Sequence, residues 1–214
     1  MQRLIMKNPW EEIKLSDYEN HMKLNTVMQL QTLNIMMKKQ LNQNNIKTVM
    51  ILGIAGGNGL EHIDPNKFQK VYGVDINHEY LKECEVRYEN LKDILECLCV
   101  DLTDKNAMLP SADMVIANLL IEYIGYECFQ KVVAQVNPEY VSCIIQVNTD
   151  DSFVSDSPYL HVFDNLDQVH HQIQEDELII VLNRIGYRLT GKVEEPLPNG
   201  KKLVQLDFLN LHNS

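Results

Sequence analysis

The pattern of apolar residues changes at Thr48. Before it, residues 24–41 place leucine, valine and methionine side chains at helical spacings, which predicts a helix. After it, residues 48–54 (TVMILGI) and 70–75 (KVYGVD) are short apolar runs bounded by turn residues, a pattern typical of strands buried on both faces. A helical stripe then starts at Asn77, so a helical segment gives way to alternating strands and helices.

Three further apolar runs predict strands over residues 94–100, 113–118 and 140–147. A helical stripe lies between the last two, over residues 129–136. Strands that alternate with helices in this way favour a mostly parallel sheet with helices on both faces.

The C-terminal part of the chain has a different pattern. A helical stripe over residues 178–185 ends at a glycine, and strand-like runs follow at 187–194 and 203–209. The Asn199-Gly200 pair between these runs is typical of a tight hairpin turn. We therefore predict an α/β fold: a doubly wound, mostly parallel, seven-stranded sheet with a C-terminal antiparallel hairpin, plus an N-terminal helical segment.

The composition is that of a globular protein, and the negative net charge disfavours binding of polyanions such as nucleic acid. The 214 residues are 45% hydrophobic and 23% charged, which is ordinary for a folded domain. Residues 1–50 hold seven basic and four acidic groups, whereas the rest hold twelve and twenty-six, so the net charge is −11. Because most of this surface would repel nucleic acid, we expect no nucleic-acid partner.

The sequence also bears on location and metals. No apolar run approaches the roughly 18 residues of a membrane-spanning helix, and the first residues lack the apolar stretch of a signal peptide. The five cysteines form no CxxC pair, which argues against a disulfide framework or a zinc site. We expect a cytoplasmic protein with no membrane association and no bound metal.

A glycine-rich turn follows the first predicted strand, over residues 53–59 (GIAGGNG). A ligand can approach such a turn closely because side chains are missing. Asn58 and Glu61 have the spacing of a capping box, which predicts a short helix after the turn. Asp75 ends the second strand, where a carboxylate can accept hydrogen bonds from both hydroxyls of a ribose. The combination indicates a nucleoside-bearing ligand, and the alternative is a tight turn with no ligand.

The glycine spacing leaves two cofactor classes open. Gly53, Gly57 and Gly59 give GxxxGxG, which is the spacing of short-chain dehydrogenases. Those enzymes use a Tyr-x-x-x-Lys pair for hydride transfer, a spacing that Tyr88 and Lys92 match, but they tend to begin at the glycine-rich strand, whereas about fifty residues precede it here. A dinucleotide-dependent oxidoreductase is therefore the less favoured alternative.

Residues 48–210 resemble the class I, Rossmann-like methyltransferases that use S-adenosylmethionine. Their first motif reads acidic-x-Gly-x-Gly-x-Gly, and Gly57 and Gly59 match its last two glycines. Gly53 stands at the acidic position, and Ala55 stands at the first glycine. The segment 113–123 (DMVIANLLIEY) is similar to the small-molecule branch of the family.

The resemblance implies a cofactor site residue by residue. Asp75 would bind the ribose, and Asp101, which follows the third strand, would accept the adenine amine. The full set of cofactor-binding candidates is Gly53, Ala55, Gly57, Asn58, Gly59, Asp75, Ile76, Asp101, Leu102 and Asn118. The implied domains are an N-terminal helical lid segment (residues 1–46) and the methyltransferase domain (residues 47–214).

The implied reaction is methyl transfer from S-adenosylmethionine to a small-molecule acceptor by in-line displacement, in which alignment supplies most of the acceleration. No residue is assigned as catalytic. The candidates for contact with the acceptor are Tyr18, His21, Glu122 and Tyr123, and the polar loop over residues 148–163 is either a binding element or a surface excursion. A non-catalytic protein that binds S-adenosylmethionine is the remaining alternative.

Overall fold

The structure is a computed structural model that describes residues 7–43, 45–148 and 152–212. Its helices are α1 (Leu15–Met22), α2 (Gln29–Gln43), α3 (His78–Arg87), α4 (Ile121–Val136) and α5 (Glu175–Asn183). Its strands are β1 (Thr48–Leu52), β2 (Lys70–Asp75), β3 (Leu95–Cys99), β4 (Met114–Asn118), β5 (Tyr140–Val147), β6 (Tyr187–Pro196) and β7 (Lys202–Asn210). Short 3-10 helices span Pro9–Glu11, Leu60–His62, Glu89–Leu91 and Leu160–Gln168.

The seven strands form one sheet in the order β3-β2-β1-β4-β5-β7-β6. The five strands from β1 to β5 pair in parallel, and β7 is antiparallel to both of its neighbours. The predicted fold class is confirmed, including the hairpin, whose turn places Gly200 at φ 84°. Because the order reverses between β1 and β4, the carboxyl ends of these strands flank the crevice where ligands bind in such sheets.

Helices cover both faces of the sheet. On one face, α4 and α5 bury Phe129 and Leu182 against the central strands. On the other face, α2 and α3 bury Leu41 and Leu81 against β1 and β2. The helices cover the apolar side chains on both faces of the sheet. The polar groups that remain accessible lie at the strand ends, where a ligand can bind.

The helix predicted over residues 24–41 begins later than the pattern indicated. Residues 24–28 form a turn in which the Val27 N–H donates to the Leu24 carbonyl at 2.8 Å. Met28 has a left-handed backbone with φ 55°, and α2 starts at the next residue. The apolar spacing could not reveal this break, because the side chains on both sides of it are buried in the same way.

The capping box predicted at Asn58 is wrong. Gly59, at φ 96°, holds the N-cap position of a 3-10 helix over Leu60–His62, and no longer helix follows. The Asn58 side chain instead donates to the Leu30 carbonyl at 3.0 Å. This part of the sheet is therefore covered by α2, which arrives from the N-terminal segment.

Candidate functional site

Two adjoining cavities open at the carboxyl ends of the parallel strands. The first cavity is open to solvent and has a volume of about 700 Å³, solvent-open space included, over the ends of β1 to β4. The second cavity, measured in the same way, has about 570 Å³ between α1, the start of α4 and the segment after β5. Four residues line both cavities, which adjoin there: Trp10, Tyr18, Leu119 and Tyr123.

Seven of the predicted cofactor residues line the first cavity. They are Gly53, Ala55, Asp75, Ile76, Asp101, Leu102 and Asn118. The other three lie outside it. A Cβ on Gly57 would lie 2.7 Å from Tyr88 Cε2, and one on Gly59 would lie 2.5 Å from Met37 Sδ. These two glycines, like Asn58, face helices rather than the cavity, so close packing rather than ligand approach explains them.

Asp75 lies at the floor of the first cavity, between the glycine-rich turn and α3. Its Oδ2 accepts the Ala55 N–H and its Oδ1 accepts the Asn77 N–H, both at 2.9 Å. Burial raises the pKa of Asp75, and these backbone N–H groups oppose that rise. Ala55 has a positive φ of 49°, which aims its N–H at the carboxylate and fixes the carboxylate in one orientation.

Asp101 follows β3 on the opposite side of the first cavity. Its Oδ1 accepts hydrogen bonds from the Thr103 N–H at 2.8 Å and from the Thr103 hydroxyl at 2.7 Å. The carboxylate therefore caps the following turn and also lines the cavity. One oxygen serves the turn, and the side chain is exposed enough for the other to meet a ligand.

The Asn118 side chain is engaged with α2. Its amide donates to Gln40 Oε1 at 2.9 Å and accepts from Gln40 Nε2 at 3.0 Å. Gln40 is fully buried and also donates to the Ser142 hydroxyl at 2.9 Å. This pairing locks the end of β4, so Asn118 shapes the first cavity with an amide that is already satisfied.

All four residues predicted on the acceptor side line the second cavity: Tyr18, His21, Glu122 and Tyr123. Burial raises the pKa of both tyrosines, so they stay protonated. His21 Nδ1 lies 2.8 Å from the Ser157 hydroxyl, and burial lowers the pKa of His21, with a further contribution from Lys201. The imidazole is therefore neutral near neutral pH.

Glu122 is the acidic group of the second cavity. It is 5% exposed, and its Oε1 accepts the Gln146 N–H of β5 at 2.8 Å. Its Oε2 is buried and has no hydrogen-bond partner within the described part of the chain. Burial raises the pKa of Glu122 to about 7, and the Gln146 N–H limits the rise.

Aromatic rings form much of the second cavity. Trp10 meets Tyr123 edge to face at 4.8 Å between ring centroids, and meets Tyr18 in the same way at 5.6 Å. His170 stacks on Phe153 at 3.8 Å. The loop after β5 thus contributes Phe153 to the cavity.

Sequence reasoning missed several residues of the two cavities. They include Asn8, Trp10, Gln29, Tyr80, Thr103, Gln146 and His170. A usable signal existed for Trp10, since a single tryptophan beside a proline outside any periodic segment has no place in the core. Gln146 lies in a predicted strand, and its position at the strand end was the available signal.

The N-terminal residues are tied to α3, beside the first cavity. Asn77 Nδ2 donates to the Trp10 carbonyl and the Tyr80 hydroxyl donates to the Ile13 carbonyl, both at 2.9 Å. Glu19 forms an ion pair with Arg87. These bonds hold Trp10 over the junction of the two cavities.

The described residues contain no group of three or more His, Cys, Asp or Glu side chains placed to hold a metal ion. None of their helices has the length and apolar character to cross a membrane.

A family model described as a methyltransferase domain matches residues 51–138, which include the glycine-rich turn, Asp75, Asp101 and Glu122. No curated protein matches the chain in sequence.

Solved structures with the same fold include enzymes crystallised with the cofactor or its product. Magnesium protoporphyrin IX methyltransferase from Synechocystis PCC 6803 with bound S-adenosylmethionine has a TM-score of 0.59 and 11% identity, over 90% of this chain and 83% of that chain. The N-methyltransferase NodS from Bradyrhizobium japonicum WM9 with S-adenosylhomocysteine has a TM-score of 0.65 and 10% identity, over 92% and 98%. Geranyl diphosphate methyltransferase with S-adenosylmethionine has a TM-score of 0.65 and 9% identity, over 84% and 85%.

Proposed function

We propose that this chain, whose residues 51–138 match a methyltransferase-domain model, is a class I methyltransferase that transfers a methyl group from S-adenosylmethionine to a small-molecule acceptor held in the second cavity. The observation that supports the proposal is that the two cavities adjoin and share four lining residues. A donor in the first cavity and an acceptor in the second would meet at Trp10, Tyr18, Leu119 and Tyr123.

The residues of the first cavity fit the cofactor. The Asp75 carboxylate lies at its floor and Asp101 at its far side, so a nucleoside between them would reach a ribose acceptor and an adenine acceptor. Burial by Tyr80, Val100 and Leu102 would exclude water from the adenine. The bound cofactor supplies a methyl group on a positively charged sulfur, which needs no further activation.

The chain itself contributes alignment to the reaction. In-line displacement requires the acceptor atom, the methyl carbon and the sulfur to lie on one line, and holding them so lowers the barrier by several kcal/mol, on the order of what intramolecular reactions gain. Trp10 and Tyr123 meet edge to face where the two cavities adjoin, and their rings would restrict the directions from which the acceptor can approach.

Residues 1–46 are proposed to be a lid over a methyltransferase domain formed by residues 47–214. The hydrogen bonds from Asn77 and Tyr80 to the backbone near Trp10 and Ile13 support this assignment. A cytoplasmic location is part of the proposal, because all five cysteines are free thiols.

The proposal is tested by following the methyl label. The protein is incubated with S-adenosylmethionine labelled on the methyl group and with an unfractionated cell extract, and the products are separated by ultrafiltration. We expect label in the low-molecular-weight fraction, and inhibition by excess S-adenosylhomocysteine. Label confined to protein or nucleic acid would contradict a small-molecule acceptor.

A further inference from the structure

We infer that the acceptor is a small amine, bound as an ammonium ion by Glu122 within the aromatic walls of the second cavity. The inference rests on the proposed function and names the chemical class of its substrate. It follows from the charge of the cavity, the vacant oxygen of Glu122 and the nature of the walls.

The charge of the second cavity is negative. The described titratable residues that line it are Tyr18, His21, Glu122, Tyr123 and His170. Burial lowers the pKa of both histidines and raises that of both tyrosines, so all four are neutral near neutral pH. Since its pKa is about 7, Glu122 is the one group among them that becomes charged, and it is mainly a carboxylate at pH 8.

Lys201 is a described cation that acts on the histidines of this cavity, because its charge lowers the pKa of both His21 and His170. It donates a hydrogen bond to the Ser152 carbonyl and does not line the second cavity. An acceptor in the cavity therefore meets Glu122 rather than Lys201.

Glu122 has a free acceptor position. Its Oε1 is used by the Gln146 N–H, while Oε2 is buried without a partner among the described residues. A buried carboxylate oxygen is stabilised strongly when a cationic donor occupies such a position. An ammonium N–H satisfies both the charge and the vacant hydrogen bond.

The walls favour a cation as well. The rings of Trp10, Tyr18, Tyr123 and Phe153 surround the space beside Glu122, and ring faces attract ammonium groups by cation–π interaction. The net charge of −11 also raises the local concentration of cations near the protein.

Glu122 can also accept the proton that the ammonium ion must lose before its nitrogen can be methylated. Burial raises the pKa of Glu122 to about 7 in the free protein, which makes its carboxylate a stronger base than an exposed glutamate, and a bound ammonium ion opposes this rise. Ammonium and carboxylate become a neutral amine and a carboxylic acid. The nitrogen lone pair then forms a bond to the methyl carbon, the carbon–sulfur bond breaks, and its electron pair stays on sulfur, giving a methylated ammonium and a neutral thioether.

The test compares headgroups on matched scaffolds. Butyl, phenethyl and indol-3-ylethyl compounds are each used as the amine, the alcohol and the corresponding carboxylate. Binding to the protein saturated with S-adenosylhomocysteine is measured by calorimetry at pH 8, and methyl transfer is measured in parallel with S-adenosylmethionine. We expect at least one amine to bind about tenfold or more tightly than its alcohol and carboxylate counterparts, and to be methylated on nitrogen.

The matched variants are Glu122→Gln and Glu127→Gln. Glutamine at position 122 keeps an oxygen for the Gln146 N–H and removes the charge, so the preference for the amine should fall about tenfold or more. Glu127 is exposed on the same helix, and its substitution should leave the preference unchanged.

The outcomes separate the inference from the proposed function. If S-adenosylhomocysteine binds but no amine is preferred over its alcohol, the amine assignment is wrong and the methyltransferase remains supported. An amine preference that survives in Glu122→Gln also overturns the inference. If S-adenosylhomocysteine does not bind, the proposed function itself fails.

Discussion

At the scale of single residues, Asp101 illustrates how one side chain combines two roles. Its Oδ1 caps the turn through Thr103, and the same carboxylate lines the first cavity. Alanine would remove both roles at once and could not distinguish them. Asparagine keeps an oxygen for the cap and replaces the second oxygen by a donor, which cannot accept the adenine amine.

We therefore predict that Asp101→Asn weakens S-adenosylhomocysteine binding about ten- to a hundredfold, since a hydrogen bond to a charged group contributes about 1.5–3 kcal/mol. Calorimetry measures the affinity, and thermal melting without ligand should change little. Asp104→Asn is the matched control, because Asp104 caps Asn106 in the same loop and does not line the cavity. Equal affinity of Asp101→Asn and wild type would remove Asp101 from the site.

Glu122 should destabilise the free protein as pH rises. Its pKa is about 7 in the folded chain and 4.5 by its ordinary value, so the folded state resists ionisation. The resulting decrease in the free energy of unfolding is absent below about pH 4.5 and grows between the two pKa values. It is complete above about pH 7, where it reaches about 3 kcal/mol.

Glu122→Gln should accordingly be more stable relative to wild type at about pH 8 than at about pH 5, by roughly 2 kcal/mol. Urea unfolding at the two pH values measures the difference. Glu127→Gln should show no such pH dependence. A parallel pH response of wild type and Glu122→Gln would mean that Glu122 ionises in the folded state as it does in water.

At the scale of elements, the glycine-rich turn is constrained by packing. Gly57 has φ 86°, and a Cβ there would meet Tyr88 and Cys84 of the α3 region at 2.7 and 2.9 Å. The turn is thus pressed against that helix, and only its first part, Gly53 to Ala55, reaches the first cavity.

Gly57→Ala should therefore lower the free energy of unfolding by about 2–4 kcal/mol, from backbone strain together with overpacking. Gly200→Ala is the matched control: it has a similar φ of 84° in an exposed turn, and should cost only about 1–2 kcal/mol. Chemical denaturation gives both values. A fully stable Gly57→Ala variant that has lost S-adenosylhomocysteine binding would instead place Gly57 against the ligand.

The strands were predictable because a strand that is buried on both faces appears in the sequence as a short, continuous apolar run. β2 and β5 begin and end where their apolar runs do. The start of α2 and the turn at Asn58 were not predictable, because they depend on contacts between distant segments, such as Asn58 with Leu30. For the site, the strand-end acids Asp75 and Asp101 were readable, whereas the engagement of Asn118 by Gln40, 78 residues away, was not.

Trp10 joins the N-terminal segment to both cavities, so its loss should affect both ligands. We predict that Trp10→Ala lowers S-adenosylhomocysteine affinity and methyl transfer, each about tenfold or more, since a half-buried aromatic residue that lines a binding cavity contributes about 1–3 kcal/mol. Trp10→Phe should restore most of both. Calorimetry and product formation measure them. An effect on one ligand alone would assign Trp10 to a single cavity.

At the scale of the whole molecule, the sheet order places the acids of β2 and β3 on one side of the crevice and the acceptor side on the other. The N-terminal segment contributes Trp10 and Tyr18 to the lining of both cavities. We therefore expect this assembly to hold S-adenosylmethionine in the first cavity.

Thermal unfolding of the wild-type chain with S-adenosylhomocysteine, NAD or NADP shows which of these ligands the first cavity binds. A ligand at a hundredfold its dissociation constant stabilises the folded state by about 2.7 kcal/mol, which raises the melting temperature of a domain this size by roughly 5–10 °C. We predict this rise with S-adenosylhomocysteine and none with either nicotinamide dinucleotide. Stabilisation by NAD or NADP, with no effect of S-adenosylhomocysteine, would contradict the assignment.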